Sequence, residues 1–411
     1  MADLKQEIDA KEAGFDQARL DRINGHFARY VDDGRLPGWL IVVSRAGRVV
    51  LLETYGQRDV EAQAPVQVDT LFRIYSMTKP ITSVAAMMLY EEGAFELKDP
   101  VAKFIPAFEN MRVYKAGSAL NAATEPATEP VRIWHLMTHT SGLTYGFLHA
   151  HPVDAMYRAA GFEWGSPEGA DLAACCDEWA EIPLLFQPGT EWNYSVSTDV
   201  LGRVVEVVSG MTLDRFFSER IFGPLGMSDS AFSVKEDETD RLAALYIPTP
   251  GSQKAMRNDV MGNLALSPPA YLSGGGGLVS TAADYHRFTQ MLLNRGELDG
   301  VRLLGTRTVR YMTRNHLPGG VDLEQFGRPL FSETSFDGTG FGLGFSVVDD
   351  PVKAKVLSSK GEFAWGGAAS TAFWVDPAEE ITVLFLTQLL PSSTHPLRSQ
   401  LKQMVYQALV D

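Results

Sequence analysis

The chain has 411 residues, 45% hydrophobic and 21% charged, close to globular averages and long enough for two or three lobes with sizeable cores, so disordered and fibrous architectures are set aside. Asp and Glu number 51 against 36 Lys and Arg, and the net charge of −15 has the wrong sign for binding nucleic-acid phosphates or an anionic membrane surface.

The amino terminus is polar and acidic where a secretory signal needs a basic start and an apolar core. No run approaches the roughly 18 apolar residues of a membrane span, so a cytoplasmic protein is expected. From Asp16 to Tyr30, Leu20, Ile23 and Phe27 recur at helical spacing between charges, which predicts an amphipathic helix. Trp39–Ser44 and Arg48–Thr54 are β-branched and apolar and read as a hairpin closed at Arg45-Ala46-Gly47. Helical patterns follow over Thr78–Glu92, Asp171–Trp179, Ser197–Ser209 and Leu213–Arg220. The second carries adjacent Cys175 and Cys176, too few ligands for a disulfide framework or a zinc site and read as reduced thiols. Two stretches read as long loops, 121–130 with its doubled Ala-Thr-Glu-Pro and the Gly- and Pro-rich 317–340; such loops serve as site walls or as surface excursions. Gly342–Val348, Ser370–Val375 and Ile381–Thr387 read as strands and Ser399–Val410 as a closing helix. The expected fold is α+β. An antiparallel sheet built from both chain ends (1–75 and 235–411) is flanked by terminal helices, a mainly helical domain (76–234) lies between, and the site sits in the cleft where they meet.

A Ser centred in Gly-x-Ser-x-Gly, a P-loop and His-Glu-x-x-His are all absent. Ser76-Met77-Thr78-Lys79 precedes the apolar run Ile81–Tyr90, and one helical turn puts Ser76 and Lys79 on one face, opposite Ile81, Val84, Ala85, Met88 and Leu89. A serine hydroxyl is a poor nucleophile until a base takes its proton, and a lysine does so when desolvation lowers its pKa, as the start of a buried helix allows. Ser399-Gln400-Leu401-Lys402 matches the same pattern, but Leu397, Leu401 and Val405 define its buried stripe and place Ser399 and Lys402 on a solvated face.

The run Phe72–Lys79, followed in order by Leu97–Val101, Trp134–Leu143, Pro188–Ser195, Phe222–Met227, Gly274–Asp284 and Trp365-Gly366-Gly367, resembles the serine β-lactamase and penicillin-binding-protein superfamily, its class C-like branch, and within it the family VIII carboxylesterases. The resemblance spans nearly the whole chain. It implies Ser76 as the acylated nucleophile, Lys79 as its base, Tyr194 as the phenol that relays a proton, and the backbone N–H groups of Ser76 and Ala368 as the oxyanion hole. Trp365, Gly366 and Gly367 stand where the family has Lys-Thr-Gly, and glycine there is expected to let a substrate carbonyl approach. Val196 replaces the Asn of Tyr-x-Asn. Trp365, Gly366, Gly367 and Val196 are therefore the expected substrate-binding residues, and losing a cation and two polar groups disfavours a β-lactam.

His135 and His139, four apart, could face a metal from one helix face, but no third ligand accompanies them; His149 and His151 read as loop residues near a substrate entrance. Gly274–Gly277 lacks the Lys and Ser or Thr of a P-loop and reads as a tight turn before a Ser280-capped helix. The expectation is a carboxylesterase acting on small, neutral esters through an acyl-serine. It requires no cofactor or metal, its partner is a small-molecule ester, neither nucleic acid nor membrane is a partner, and the oligomeric state is not legible. An acyltransferase with the same Ser-Lys-Tyr site and a β-lactamase or D-stereospecific peptidase are the alternatives.

Overall fold

The computed structural model describes residues 4–328 and 336–410. Helix α1 (Gln17–Asp32) opens the chain, N-capped by Asp16, whose carboxylate accepts from Arg19 N, and it buries Leu20, Ile23, Phe27 and Tyr30. The hairpin β1 (Gly38–Arg45) and β2 (Arg48–Asp59) turns through Ala46 and Gly47, both at positive φ, as a two-residue connection demands. A short β3 (Ala64–Pro65) edges it.

The chain then leaves the sheet. It passes through α2 (Thr78–Glu91), α3 (Ser197–Ser209) and α4 (Ala282–Leu293) before returning as β4 (Thr339–Phe341), β5 (Ser346–Val348), β6 (Phe363–Gly366), β7 (Ala372–Asp376) and β8 (Ile381–Leu386), and closes with α5 (Leu397–Tyr406). The eight strands form one antiparallel sheet in the order β4-β5-β6-β7-β8-β1-β2-β3, so β8 joins the two chain ends by pairing with β1, Val42 opposite Leu384. Period-2 alternation sorts the faces. Trp39, Ile41, Val43, Val383 and Phe385 pack with Phe27 of α1 and Leu401 and Val405 of α5, whereas Leu40, Val42 and Leu384 share the larger core with Tyr285, Phe288 and Met291 of α4. This is the expected α+β architecture, an antiparallel sheet built from both chain ends and flanked by the terminal helices.

Three local expectations are corrected. Of the strand read over Gly342–Val348 only Ser346–Val348 (β5) is strand; residues 342–345 are the turn that joins it to β4, in which Gly342 N donates to Phe345 O at 2.7 Å and Gly344 takes φ +95°. Residues 121–130 are no long loop: Asn121–Pro126 pairs antiparallel with Arg112–Ser118, their polar, largely exposed residues hiding the strand period. The helix after the glycine run is capped by Thr281, whose side chain accepts from Asp284 N, while Ser280 Oγ bonds Ser230 Oγ instead. Part of the loop 317–340 lies outside the described residues. Among the described residues, no helix is long and apolar enough to cross a membrane.

Candidate active site

Ser76 is presented by a short, constrained turn. Phe72–Arg73 pairs with Val279–Ser280 and Ile74 N donates to Leu278 O at 3.0 Å. Tyr75 then takes φ +42°, a left-handed conformation costly for a bulky residue. One 3-10 turn, Tyr75–Met77, leads into α2, which is buried from Thr78 through Leu89.

Burial on every side brings Lys79 into the core at 2% exposure. Its Nζ donates to Ser76 Oγ at 3.2 Å and to Gly275 O at 2.6 Å, and it lies 4.5 Å from the centre of the Tyr194 ring and 5.3 Å from that of Tyr145. Tyr194 precedes α3 in a loop tied down by buried polar contacts. Asn193 Nδ2 donates to Leu143 O at 3.1 Å, and Ser141, Ser197 and Ser195 link their hydroxyls at 2.7 Å each, ending on His139 Nδ1 at 3.2 Å. The indole Nε1 of Trp365 donates to Tyr194 OH at 3.4 Å, so the residue standing in place of a lysine still sends a donor toward the phenol oxygen.

Ser76 and Ala368, the expected oxyanion donors, both line one cavity together with Tyr194, Trp365, Gly366 and Gly367; it holds about 1330 Å³ including its open mouth. Gly367 N donates to Thr371 O at 2.9 Å and Ser370 N to Gly367 O at 3.1 Å, whereas the Ala368 amide takes part in no backbone hydrogen bond among the described residues. The glycines serve the protein's own packing before any substrate. A Cβ on Gly366 would collide with the Arg398 guanidinium, and one on Gly367 with Ile74 O and Thr371 Oγ1. Arg398 Nη2 donates to Gly367 O at 2.8 Å and Thr371 O at 2.9 Å, holding the turn that carries Ala368.

Other expectations change. Val196 does not line the cavity; its apolar side chain is 4% exposed in the main core and its N–H donates to Thr144 O. Lys402 is not on a solvated face: it pairs with Glu362, a wholly buried carboxyl pushed up by desolvation, while Ser399 Oγ donates to Pro396 O. That ion pair leaves the second Ser-x-x-Lys without a base. His135 and His139 share no helix face, because the helix ends at Met137 and His139 takes φ +54°. Burial keeps both neutral, His135 down at about 4 and His139 well below the usual range, helped by the Lys79 charge. His149 meets Glu163 and His151 caps Pro152–Ala159, neither against the cavity. Among the described residues, no group of three or more His, Cys, Asp or Glu could hold a metal. Cys175 and Cys176 are buried free thiols, Cys175 pushed up to about 12 by desolvation.

Sequence reasoning missed Tyr145 and Asp199. Burial, then Asp199 and Tyr194, pushes the Tyr145 phenol well above the tyrosine range, so it keeps its proton and donates to Asp199. Its only trace in the sequence is one more aromatic in a loop. Asp199 is visible as an acid in the first turn of α3, where a helix dipole would equally place it.

The Beta-lactamase family model matches residues 23–404. The chain belongs to the beta-lactamase family. It is 32% identical over 406 residues to Esterase EstB of Burkholderia gladioli, covering 95% of each chain, and 28% identical over 388 residues to monacolin J acid methylbutanoyltransferase of Aspergillus terreus, covering 89% of each. Among solved structures, EstCE1, "a hydrolase with promiscuous acyltransferase activity", superposes with a TM-score of 0.79 at 27% identity over 95% of this chain and 99% of its own. The expected place in the β-lactamase-like serine hydrolases, beside the family VIII esterases, is met.

Proposed function

We propose that the protein hydrolyses small, neutral carboxylic esters through an acyl-enzyme on Ser76. The observation that carries the reading is the contact of Lys79 Nζ with Ser76 Oγ at 3.2 Å inside a buried, aromatic-walled site. Lys79 takes the Ser76 proton as Oγ attacks the ester carbonyl, and the oxyanion settles between the Ser76 and Ala368 N–H groups. Collapse of the tetrahedral intermediate breaks the bond to the alcohol oxygen, which leaves with a proton from Tyr194, and the phenol recovers a proton from the Lys79 ammonium. Water then repeats the sequence on the acyl-serine. The Trp365 indole offers an apolar surface to the substrate. Arg398 brings a positive charge to the cavity wall, but its Nη2 already serves two backbone carbonyls and Lys402 is neutralised by Glu362. A substrate carboxylate would give up water for little in return.

Acyl transfer to an alcohol is the second reading, favoured by the likeness to EstCE1 and to the Aspergillus transferase and by an open, aromatic mouth of Phe147, Tyr194, Phe336 and Trp365 where an acceptor could replace water. A p-nitrophenyl ester chain-length series run beside penicillins and cephalosporins tests the main reading. The kcat/KM for short neutral esters should exceed that for β-lactams by at least about a thousandfold, roughly 4 kcal/mol at the transition state. Efficiencies within tenfold of each other would contradict it. Mass analysis with competing alcohols separates transfer from hydrolysis.

A further inference from the structure

We infer that Asp199 is a positioning residue for Lys79, acting through Gly275 to aim the amine at Ser76 and to balance the charge it gains; this rests on the reading of Lys79 as the base for Ser76. The glycine run 274–277, which resembled only a tight turn, is the connecting piece. Asp199 is 1% exposed, and its Oδ1 accepts from Gly275 N at 3.0 Å and Ser273 Oγ at 2.6 Å. The phenols of Tyr145 and Tyr271 also hydrogen-bond to it. The neighbouring carbonyl, Gly274 O, is fixed by Thr82 Oγ1 at 2.7 Å, so the 274–275 peptide is held at both ends. From that anchored residue Gly275 O reaches Lys79 Nζ at 2.6 Å. The approach requires glycine, since a Cβ on Gly275 would collide with Asp199 Oδ2.

The arrangement has an electrostatic consequence. When Lys79 takes the Ser76 proton, the Oγ–H bond breaks, the Oγ–acyl bond forms and a cation appears in a desolvated site. The groups facing Lys79 are Ser76, the Tyr194 and Tyr145 rings and the Gly275 carbonyl, with His139 close enough for its charge to matter. His139 and Tyr145 are held neutral by burial, so they offer no counter-charge. Asp199, one residue beyond the Gly275 carbonyl, provides the nearest carboxylate on this path. Its charge opposes in sign the cation that forms on Lys79 during the step.

The test is the pH profile of kcat/KM for a p-nitrophenyl ester, measured on the whole protein with folding checked by near-ultraviolet circular dichroism. Asp199→Asn keeps an oxygen for Gly275 N and removes the charge. It should move the acid limb down by about one pH unit and lower kcat at least tenfold. Tyr145→Phe removes a donor from Asp199 and leaves its charge less shared, so the limb should move up by a few tenths; this variant carries the test if Asp199→Asn fails to fold. Limbs coinciding with wild type, with only a uniform loss of rate, would mean a structural role and overturn the inference. Lys79→Ala separates the two levels. Loss of the limb, or of turnover, in that variant with unmoved limbs in the other two contradicts the inference alone, whereas an intact wild-type limb without Lys79 would overturn the reading of the site as well.

Discussion

Trp365 stands where the family resemblance implies a lysine, and its indole N–H still points at the phenol oxygen of Tyr194. Trp365→Phe keeps the ring and removes that donor, so kcat should fall about three- to tenfold with KM little changed, in line with about 1 kcal/mol for one hydrogen bond. Lys79→Ala and Tyr194→Phe remove proton transfer and should each cost orders of magnitude in kcat while the thermal unfolding curve shows an intact fold. Ser76→Ala should abolish ester hydrolysis and Ser399→Ala should leave it within a few-fold; equal losses would break the assignment. At this scale the contact of Ser76 with Lys79 at the start of a buried helix was legible because one helical turn and an apolar stripe are local properties. The fate of Lys402 was not, since its partner Glu362 lies 40 residues away, just before β6, and only the tertiary fold brings the two together.

The 366–371 turn joins the sheet to the segment that carries Ser76. It is held by Arg398 from α5, by Ser370 Oγ donating to Leu389 O at 2.7 Å, and by the close approach of Gly367 to Ile74 O. A methyl at 367 must push the turn away from Ser76, so Gly367→Ala should lower kcat at least tenfold while the fluorophosphonate-labelled residue remains Ser76; unchanged kcat would show that the turn tolerates the shift. Elements with a clean period were readable from sequence. The expected bounds of α3 match the observed Ser197–Ser209, and the β1–β2 hairpin turns where its glycine stands. The polar hairpin at 112–126 buries only Val113, too little to impose an alternation, and the Asp199–Gly275–Lys79 path joins three segments that no local pattern relates.

Across the molecule, burial sets the response to pH. His135 and His286 are depressed to about 4 by desolvation, and His139 lies well below the usual range for the same reason. A histidine depressed on folding binds fewer protons folded than unfolded between about 4 and 6.5, so stability present at neutral pH is lost as pH falls through that window, by up to about 3 kcal/mol for each group depressed to about 4. Asp284, pushed up to about 6 by burial, works in the opposite direction between about 4 and 6. His151, His316 and His395 are also lowered by burial and Glu362 is raised like Asp284, so six histidines against two carboxyls give a net loss; Tm should drop on acidification from pH 7 to pH 4, and His286→Gln should flatten part of the slope, whereas a flat profile in the wild type would refute this balance. The central claim, a covalent acyl-serine at Ser76, is tested most directly by mass spectrometry of protein quenched in acid after brief mixing with a p-nitrophenyl ester. One acyl mass on the peptide containing Ser76, absent from Ser76→Ala, is the expected result; an adduct on another serine, or turnover without any adduct at Ser76 under conditions that trap acyl-enzymes, would contradict it.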